Sequence, residues 1–408
     1  MSSQDVIVLG AGIVGKAASL ALSKQGLRVL HIAPNLGASS SYSSQNLDET
    51  TWDSRIYALS SSSQKLLADL QAWDAMNSSR IQAVRDMRVF GDSGQKEDRL
   101  HFSAFQGTVP QLAWIVESGN IENGLDMAIR FQTGITRIED RVIEFTSTSA
   151  GVSVKTSNGQ TFEAKLLIAA DGANSPVRQQ LEIETSIDHY EQTAVVANFH
   201  CSQTHLQTAF QWFLPTGDIL ALLPLPNQKV SMVWSTSPGY ASELSALSQE
   251  SPEKFCRTIE QAANGLPLAH LGALKQITSA QSFPLRRIWA KRVIGPNAHP
   301  NILLVGDAAH AMHPLAGQGL NLGLRDIAVL NELLQEKETF RELDDRIFLR
   351  RYERNRQGDI QSLLTTTHHL QKMFSSKREN TKSIRNFGMR LINRSPFIKR
   401  QLIQKALG

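Results

Sequence analysis

The sequence predicts an α/β fold: a Rossmann-like dinucleotide-binding domain, interrupted by an inserted, mostly antiparallel β-sheet and followed by C-terminal helices. Apolar runs end in glycine-containing turns at three widely separated places, near Gly10, Gly172 and Gly306. Between the second and third of these lie short β-like runs with Pro and Gly breaks.

Val6-Ile7-Val8-Leu9 reads as a short buried strand, and Gly10-Ala11-Gly12-Ile13-Val14-Gly15 follows at once, opening a helix through Ala17, Ala18, Leu20 and Leu22. In a dinucleotide fold Gly10 makes the turn, Gly12 lets a pyrophosphate approach the backbone, and Gly15 lets helix and strand pack closely. A lone glycine turn is a weak signal, but Gly26 and the run Leu27-Arg28-Val29-Leu30-His31-Ile32 add a helix stop and a second strand. That strand is expected to end in an acidic residue for the adenosine ribose hydroxyls. Ala33 stands there instead, followed by Pro34-Asn35, and Asn35 is the nearest side chain able to hydrogen-bond a ribose.

The serine tract at 39–44 reads as a loop, whereas Ser60-Ser61-Ser62-Ser63 before Gln64-Lys65-Leu66-Leu67 predicts a helix cap. Leu166-Leu167-Ile168 is a further apolar strand, and Asp171-Gly172 makes a sharp turn after it. Runs at 193–199, 219–225 and 230–234 suit an antiparallel sheet. Ile302-Leu303-Leu304-Val305 is again a buried strand, and it leads through Gly306-Asp307 to a helix beginning near Leu320. Asp307 is expected at the carboxyl edge of the sheet. The turn Gly317-Gln318-Gly319 brings backbone close to a bound group, and the helix after it aims free N–H groups at the same place. Residues 1–178 and 285–345 are expected to fold together, because the strand at Ile302 has to join the sheet begun by Val6. The inserted sheet spans 179–284, and a helical region with a basic tail spans 346–408.

The glycine fingerprint, the Asp171-Gly172 segment and the Gly306-Asp307 segment, in this order, resemble the single-component aromatic hydroxylases that carry FAD, the group related to para-hydroxybenzoate hydroxylase. Further runs narrow the resemblance to the ubiquinone-biosynthesis hydroxylases over nearly the whole chain. They are Asp53-Ser54-Arg55-Ile56-Tyr57-Ala58-Leu59, Trp114-Ile115-Val116-Glu117, Leu220-Ala221-Leu222-Leu223-Pro224-Leu225-Pro226, Val233-Trp234-Ser235 and the ten residues from Pro314 to Gly323.

The resemblance implies FAD, held by Gly10, Gly12, Gly15, Arg55, Asp171, Gly172, Asp307, Pro314, Gly317, Gln318, Gly319 and Asn321. Asp307 would take the ribitol hydroxyls and Arg55 the pyrophosphate side. Pro314, Gly317, Gln318 and Gly319 would position the flavin for reaction, Pro314 by packing at the isoalloxazine edge and the others through backbone N–H groups. It further implies NAD(P)H as reductant, dioxygen, and a flavin C4a-hydroperoxide that hydroxylates the ring of a prenylated phenol. The chain departs from the family pattern at Ala33 and at Ser118-Gly119, which follows Glu117 where many relatives carry Asn-Arg; if that arginine helps hold the flavin or its reductant, its work must be done otherwise.

With 408 residues, 41% hydrophobic and 20% charged, the chain has an ordinary globular composition with room for two cores. No apolar run is long enough to span a bilayer and the first residues lead straight into a strand, so a cytoplasmic location is expected. Cys201 and Cys256 lie far apart in no CxxC pattern, which argues against a disulfide framework and against the disulfide-reducing flavoproteins. From Lys377 onward nine basic residues face one acid, Glu379, a net +8 against +4 for the whole chain. Apolar residues Ile384, Phe387, Leu391, Phe397, Ile398, Leu402 and Ile403 recur among them at helical spacing. Two readings stand: a basic amphipathic tail resting on an anionic membrane surface or on a biosynthetic assembly, and a terminal helix packed on the FAD domain. Without a recognised fold or interleaved aromatics, nucleic acid is discounted as a partner. Homo-oligomerisation stays open.

No metal-ligand spacing is present: His310 and His313 lie in the Gly306 segment, and the adjacent His368-His369 point apart on a helix. A GxSxG elbow is also lacking, so the cofactor is expected to be the reactive group, with the protein supplying position and electrostatics. No side chain stands out as a general base, and His310 is expected to serve structure. Trp212-Phe213 and Leu220 to Leu225 are candidates for a dry lining, or for ordinary core. Two alternatives are a related flavoprotein reductase and a non-catalytic FAD-fold partner in a biosynthetic assembly, the latter suggested by Ala33 and the missing arginine.

Overall fold

The computed structural model describes residues 4–34, 52–92, 99–148, 151–263, 271–312, 317–375, 392–393 and 395–407. Pro314, His313, Asn35, the serine tract at 39–44 and most of the basic tail fall outside these.

The glycine turns rise from one sheet. Gln4–Leu9 pairs in parallel with Val29–Ile32 on one side and Thr161–Ala169 on the other, and Ile135–Ile138 extends the sheet beyond Val29–Ile32. Thr161–Ala169 divides its second edge: its first half pairs antiparallel with Gly151–Thr156, its last residues in parallel with Ile302–Leu304. The strand at Ile302 therefore joins the sheet begun by Val6, one strand removed. Parallel strands covered on both faces must be apolar throughout. Val6, Ile7, Val8, Val29, Leu167, Ile168, Ile302 and Leu303 are indeed fully buried, each contributing on the order of 2 kcal/mol. Helix Ile13–Lys24 lies against Gln4–Leu9 and contacts helices Ser118–Arg130 and Gly319–Gln335.

The second sheet has nine strands built around the 17-residue strand Thr185–Cys201, which pairs antiparallel with Lys229–Thr236 and Gln281–Ala290. Ile219–Leu225 and Thr208–Phe213 continue it. Asp86–Phe90, parallel to Thr208–Phe213, and then Arg99–Ser103 complete that end. Residues 86–90 and 99–103, expected to fold with the nucleotide-binding sheet, thus belong to the second sheet. Their partner strand lies more than a hundred residues away, and a local pattern cannot announce such a pairing. At its other end the second sheet pairs with His310–Ala311, so it runs directly into the Gly306 segment.

Alternation along Ile219–Leu225 sorts the expected lining residues. Leu220 and Leu222 pack with Trp212 in the core under helices Pro238–Glu250 and Pro252–Ala262, whereas Leu223 and Leu225 face Trp52, Ile56 and Ala58. Phe213 packs with Val89, Leu100 and Met373. Ser60 caps helix Ser61–Asp69 as its sequence predicts, its Oγ accepting from Ser63 N at 3.3 Å. Helices Arg346–Ser375 and Pro396–Leu407 follow, and no helix among the described residues is long and apolar enough to cross a membrane.

Candidate cofactor site

At the first turn glycine is required by contact. Gly10 has φ +127°, and a Cβ placed on it would lie 2.1 Å from the Ala170 carbonyl oxygen; one on Gly15 would lie 2.2 Å from the Gly10 carbonyl oxygen. Gly12 is the opposite case: it precedes helix Ile13–Lys24 without any side-chain cap, and nothing lies within 4 Å of its Cβ position. The helix N–H groups behind it are thus open to an anion. The turn is further held by His31, fully buried, whose Nε2 lies 2.8 Å from the Gly10 carbonyl oxygen. Burial pulls the imidazole down to about 4, so it is neutral at neutral pH, and the carbonyl partner places its proton on Nε2.

The second turn abuts the first. Ala170 N donates to Leu9 O at 2.8 Å, and Gly172 has φ +85° with nothing within 4 Å of its Cβ position. Asp171 Oδ2 accepts from Val177 N at 3.2 Å, while its buried Oδ1 meets no hydrogen-bond partner among the described residues. Burial pushes this carboxyl up. An orphaned carboxylate oxygen beside two open glycines is what a hydroxyl-rich ligand would satisfy. Arg178 then ties this turn to the third, donating to Ala173 O at 2.8 Å and to Ala308 O at 2.7 Å.

At the third turn Asp307 is exposed, yet the crowding of surrounding protein pushes its carboxyl up, against the opposing charges of His310, Arg55 and Arg286. Gly306, at φ +58°, and Gly323 make room for Val14 of the first helix, whose methyls would lie 3.2 Å and 2.9 Å from Cβ atoms placed on them. The first and third turns are thereby packed together. Helix Gly319–Gln335 begins after Gln318 without a side-chain cap, leaving its first N–H groups open. Gly317 has φ +61° and approaches Ala58. The Asn321 side chain is committed to protein: Oδ1 accepts from Ser60 N at 2.9 Å, and Nδ2 donates to Ala58 O at 2.8 Å and Gly317 O at 3.2 Å. Only its backbone N–H remains for a ligand. This narrows the role expected for Asn321.

Arg55 is exposed, stacks over Phe283 at 5.2 Å, and acts electrostatically on Asp307. Its loop is set by Asp53, which accepts from Arg55 N at 2.9 Å and from Gly119 N at 3.1 Å. Glu117 is wholly buried, forked by Arg80 at 2.6 and 2.8 Å, and accepts from Asp53 N at 2.7 Å. In this chain the position after Ser118 therefore braces the Arg55 loop through its backbone.

Residues that the sequence did not announce complete the support. Asp326 accepts from Gly306 N at 2.8 Å and from His310 Nε2 at 2.7 Å with one oxygen, and from Arg356 Nε at 2.7 Å with the other. Burial alone would raise the Asp326 carboxyl, but the His310 and Arg356 charges together outweigh it and hold it below the ordinary range. His310 is 2% exposed and paired, which fits the structural role expected for it. The signal for Asp326 was its place on an apolar stripe with Leu322, Gly323, Ile327 and Leu330.

Two uncapped helix starts, three glycines with clear space or close backbone, an orphaned carboxylate oxygen and an accessible carboxylate suit a long anionic ligand rich in hydroxyls. FAD has that chemistry, and the residues fit it. Pro314 lies outside the described residues.

Comparison with known proteins agrees. Residues 116–367 match a family model described as an FAD binding domain. The chain is 32% identical to the human ubiquinone biosynthesis monooxygenase COQ6, mitochondrial, covering 98% of this chain and 91% of that protein. It is 30% identical to the 3-demethoxyubiquinol 3-hydroxylase of Escherichia coli (strain K12), covering 99% and 98%. Among solved structures, Klebsiella pneumoniae HpxO complexed with FAD and uric acid superposes with a TM-score of 0.74 at 17% identity, covering 98% and 97%, which is a likeness of fold.

Proposed function

The chain belongs to the ubiquinone-biosynthesis family of FAD-dependent hydroxylases, and on that premise we propose that it hydroxylates the aromatic ring of a prenylated phenol, with dioxygen as oxygen source and NAD(P)H as reductant. It is an FAD-dependent aromatic monooxygenase. The observation that carries the reading is the packing of three glycine turns against one another, together with an exposed Asp307 and two uncapped helix starts.

FAD, when bound, supplies the electron transfer and oxygen activation. The chain's own residues do the rest. The open N–H groups behind Gly12 would bind the pyrophosphate, and the Asp307 carboxylate would accept from the ribitol hydroxyls. The N–H groups at the start of helix Gly319–Gln335 would offer donors and a positive dipole end to negative charge on the bound cofactor. Leu223, Ile56 and Ala58, packed over the buried Leu225, would offer apolar contact able to keep water from the reacting atoms. His310 moves no proton in this scheme, because Asp326 holds it in the interior.

A test of this reading uses purified chain and a strain lacking the corresponding hydroxylase. We expect flavin absorbance that survives gel filtration, and disappearance of the accumulated quinone precursor when the chain is supplied. A colourless protein that takes up no FAD, or an unchanged precursor pool, would sink it.

The proposal extends to location: a cytoplasmic protein resting on the inner face of an anionic membrane. Supporting it, Phe105 is 92% exposed, Phe397 71% and Leu402 41%, on elements joined by the contact of Ile403 with Gly107, and Arg85 and Arg400 are exposed nearby. Aromatic residues beside arginines suit the headgroup region. Replacing Phe105 and Phe397 by serine should abolish co-flotation with anionic vesicles; unaltered flotation would contradict the placement.

A further inference from the structure

The Gly306 turn is held by a device that the cofactor chemistry does not itself require. Asp307 is bracketed in sequence by Gly306 and His310, and one oxygen of Asp326 takes hydrogen bonds from both, at 2.8 and 2.7 Å. A single carboxylate thus pins the chain on either side of the residue expected to hold the ribitol. Its other oxygen takes Arg356 Nε at 2.7 Å, and Arg356 comes from helix Arg346–Ser375. The same guanidinium donates to Asp359 at 2.7 Å and reaches Leu322 O at 3.4 Å, back on the helix that starts behind the turn. His310, Asp326 and Arg356 are 2%, 1% and 1% exposed. None of them reaches the cleft.

A buried ion pair is poor value for stability alone, since apolar residues of similar size would do as well. It does impose direction: a carboxylate with three fixed donors admits one arrangement of the chain around it. Asp307 needs such direction, because crowding works against its ionised form and nothing in the described residues hydrogen-bonds its carboxylate.

We propose that Asp326 is a positioning residue for the cofactor, setting the orientation of Asp307 through Gly306 and His310, and that Arg356 makes this arrangement depend on helix Arg346–Ser375. The proposal rests on the FAD reading above. It places a determinant of flavin affinity in the C-terminal helical region, away from every glycine turn.

The experiment is a double-mutant cycle on apoprotein, read by FAD titration and by visible circular dichroism of the bound flavin. Asp326→Asn keeps an oxygen for Gly306 N–H but loses the charge, and is expected to weaken FAD binding about tenfold and alter the flavin dichroism. In an Asp307→Asn background the same change should weaken binding by less than about twofold, because Asp326 acts through Asp307. If Asp326→Asn does not fold, Arg356→Lys, which keeps the cation and loses the fork, is run through the same cycle with the same expectation. Equal weakening in both backgrounds, or unchanged affinity and dichroism in a folded variant, overturns the positioning role and leaves the FAD reading intact. Wild-type protein that binds no FAD overturns both.

Discussion

The turn at Gly10 and the turn at Gly306 are packed together through Val14 and are made rigid by different physics. At Gly10 the lock is shape: backbone passes backbone at a distance that excludes even a methyl group, and the one polar brace is a neutral histidine. At Gly306 the lock is charge, a buried carboxylate on one helix between an imidazole from the strand His310–Ala311 and a guanidinium from a second helix. A shape lock is indifferent to ionic balance and intolerant of any added atom. A charge lock can accept small changes of packing but needs every partner present. Val14, fitted between Gly306 and Gly323, lets the two locks report on each other.

The difference is broken most forcefully at Gly10. Gly10→Ala would set a Cβ 2.1 Å from the Ala170 carbonyl oxygen at a φ of +127°, and we expect a loss of at least about 3 kcal/mol in urea unfolding. Stability within about 0.5 kcal/mol of wild type would show that the turn is not locked by shape.

Lowering the pH should separate the two locks. His31 is neutral in the fold, with its imidazole pulled down to about 4 by burial, while the unfolded chain takes up its proton near the ordinary 6.5. Its contribution is therefore complete above pH 6.5 and is lost progressively between 6.5 and 4, by up to roughly 3 kcal/mol. Asp326 has its carboxyl lowered, so its contribution is present above the ordinary carboxylate value and is lost only as pH falls below that. Urea unfolding of wild type and His31→Gln at neutral and mildly acidic pH reads the first step. Parallel pH dependences in the two proteins would remove His31 from the account.

Much of this architecture was legible because it is local. A strand, a glycine turn and a helix occupy about twenty consecutive residues, and Gly10, Asp171 and Asp307 each sit at the end of an apolar run. What was not legible is what comes together from far apart. Asp86–Phe90 lies in the stretch expected to fold with the nucleotide-binding sheet, and only its parallel pairing with Thr208–Phe213 assigns it to the second sheet. Neither Asp326 nor Arg356 was singled out among the many charges of the sequence. Yet Arg356 falls in the buried series Leu349, Tyr352, Ile360 and Leu364, and a charge at that phase of a helix signals an interior partner. Asn321 was expected to hold the cofactor, but its side-chain amide is spent on Ser60, Ala58 and Gly317, a commitment that residue type does not reveal.

The central claim, that the space above the first turn is shaped for the cofactor's pyrophosphate, is tested most directly at Gly12. Its φ of −76° suits any residue and nothing lies within 4 Å of its Cβ position, so Gly12→Ala should leave apoprotein stability within about 0.5 kcal/mol of wild type. The added methyl would occupy the line of approach to the helix N–H groups, and FAD titration should show binding weakened at least about tenfold. Undiminished FAD affinity in a stable Gly12→Ala protein would contradict the account.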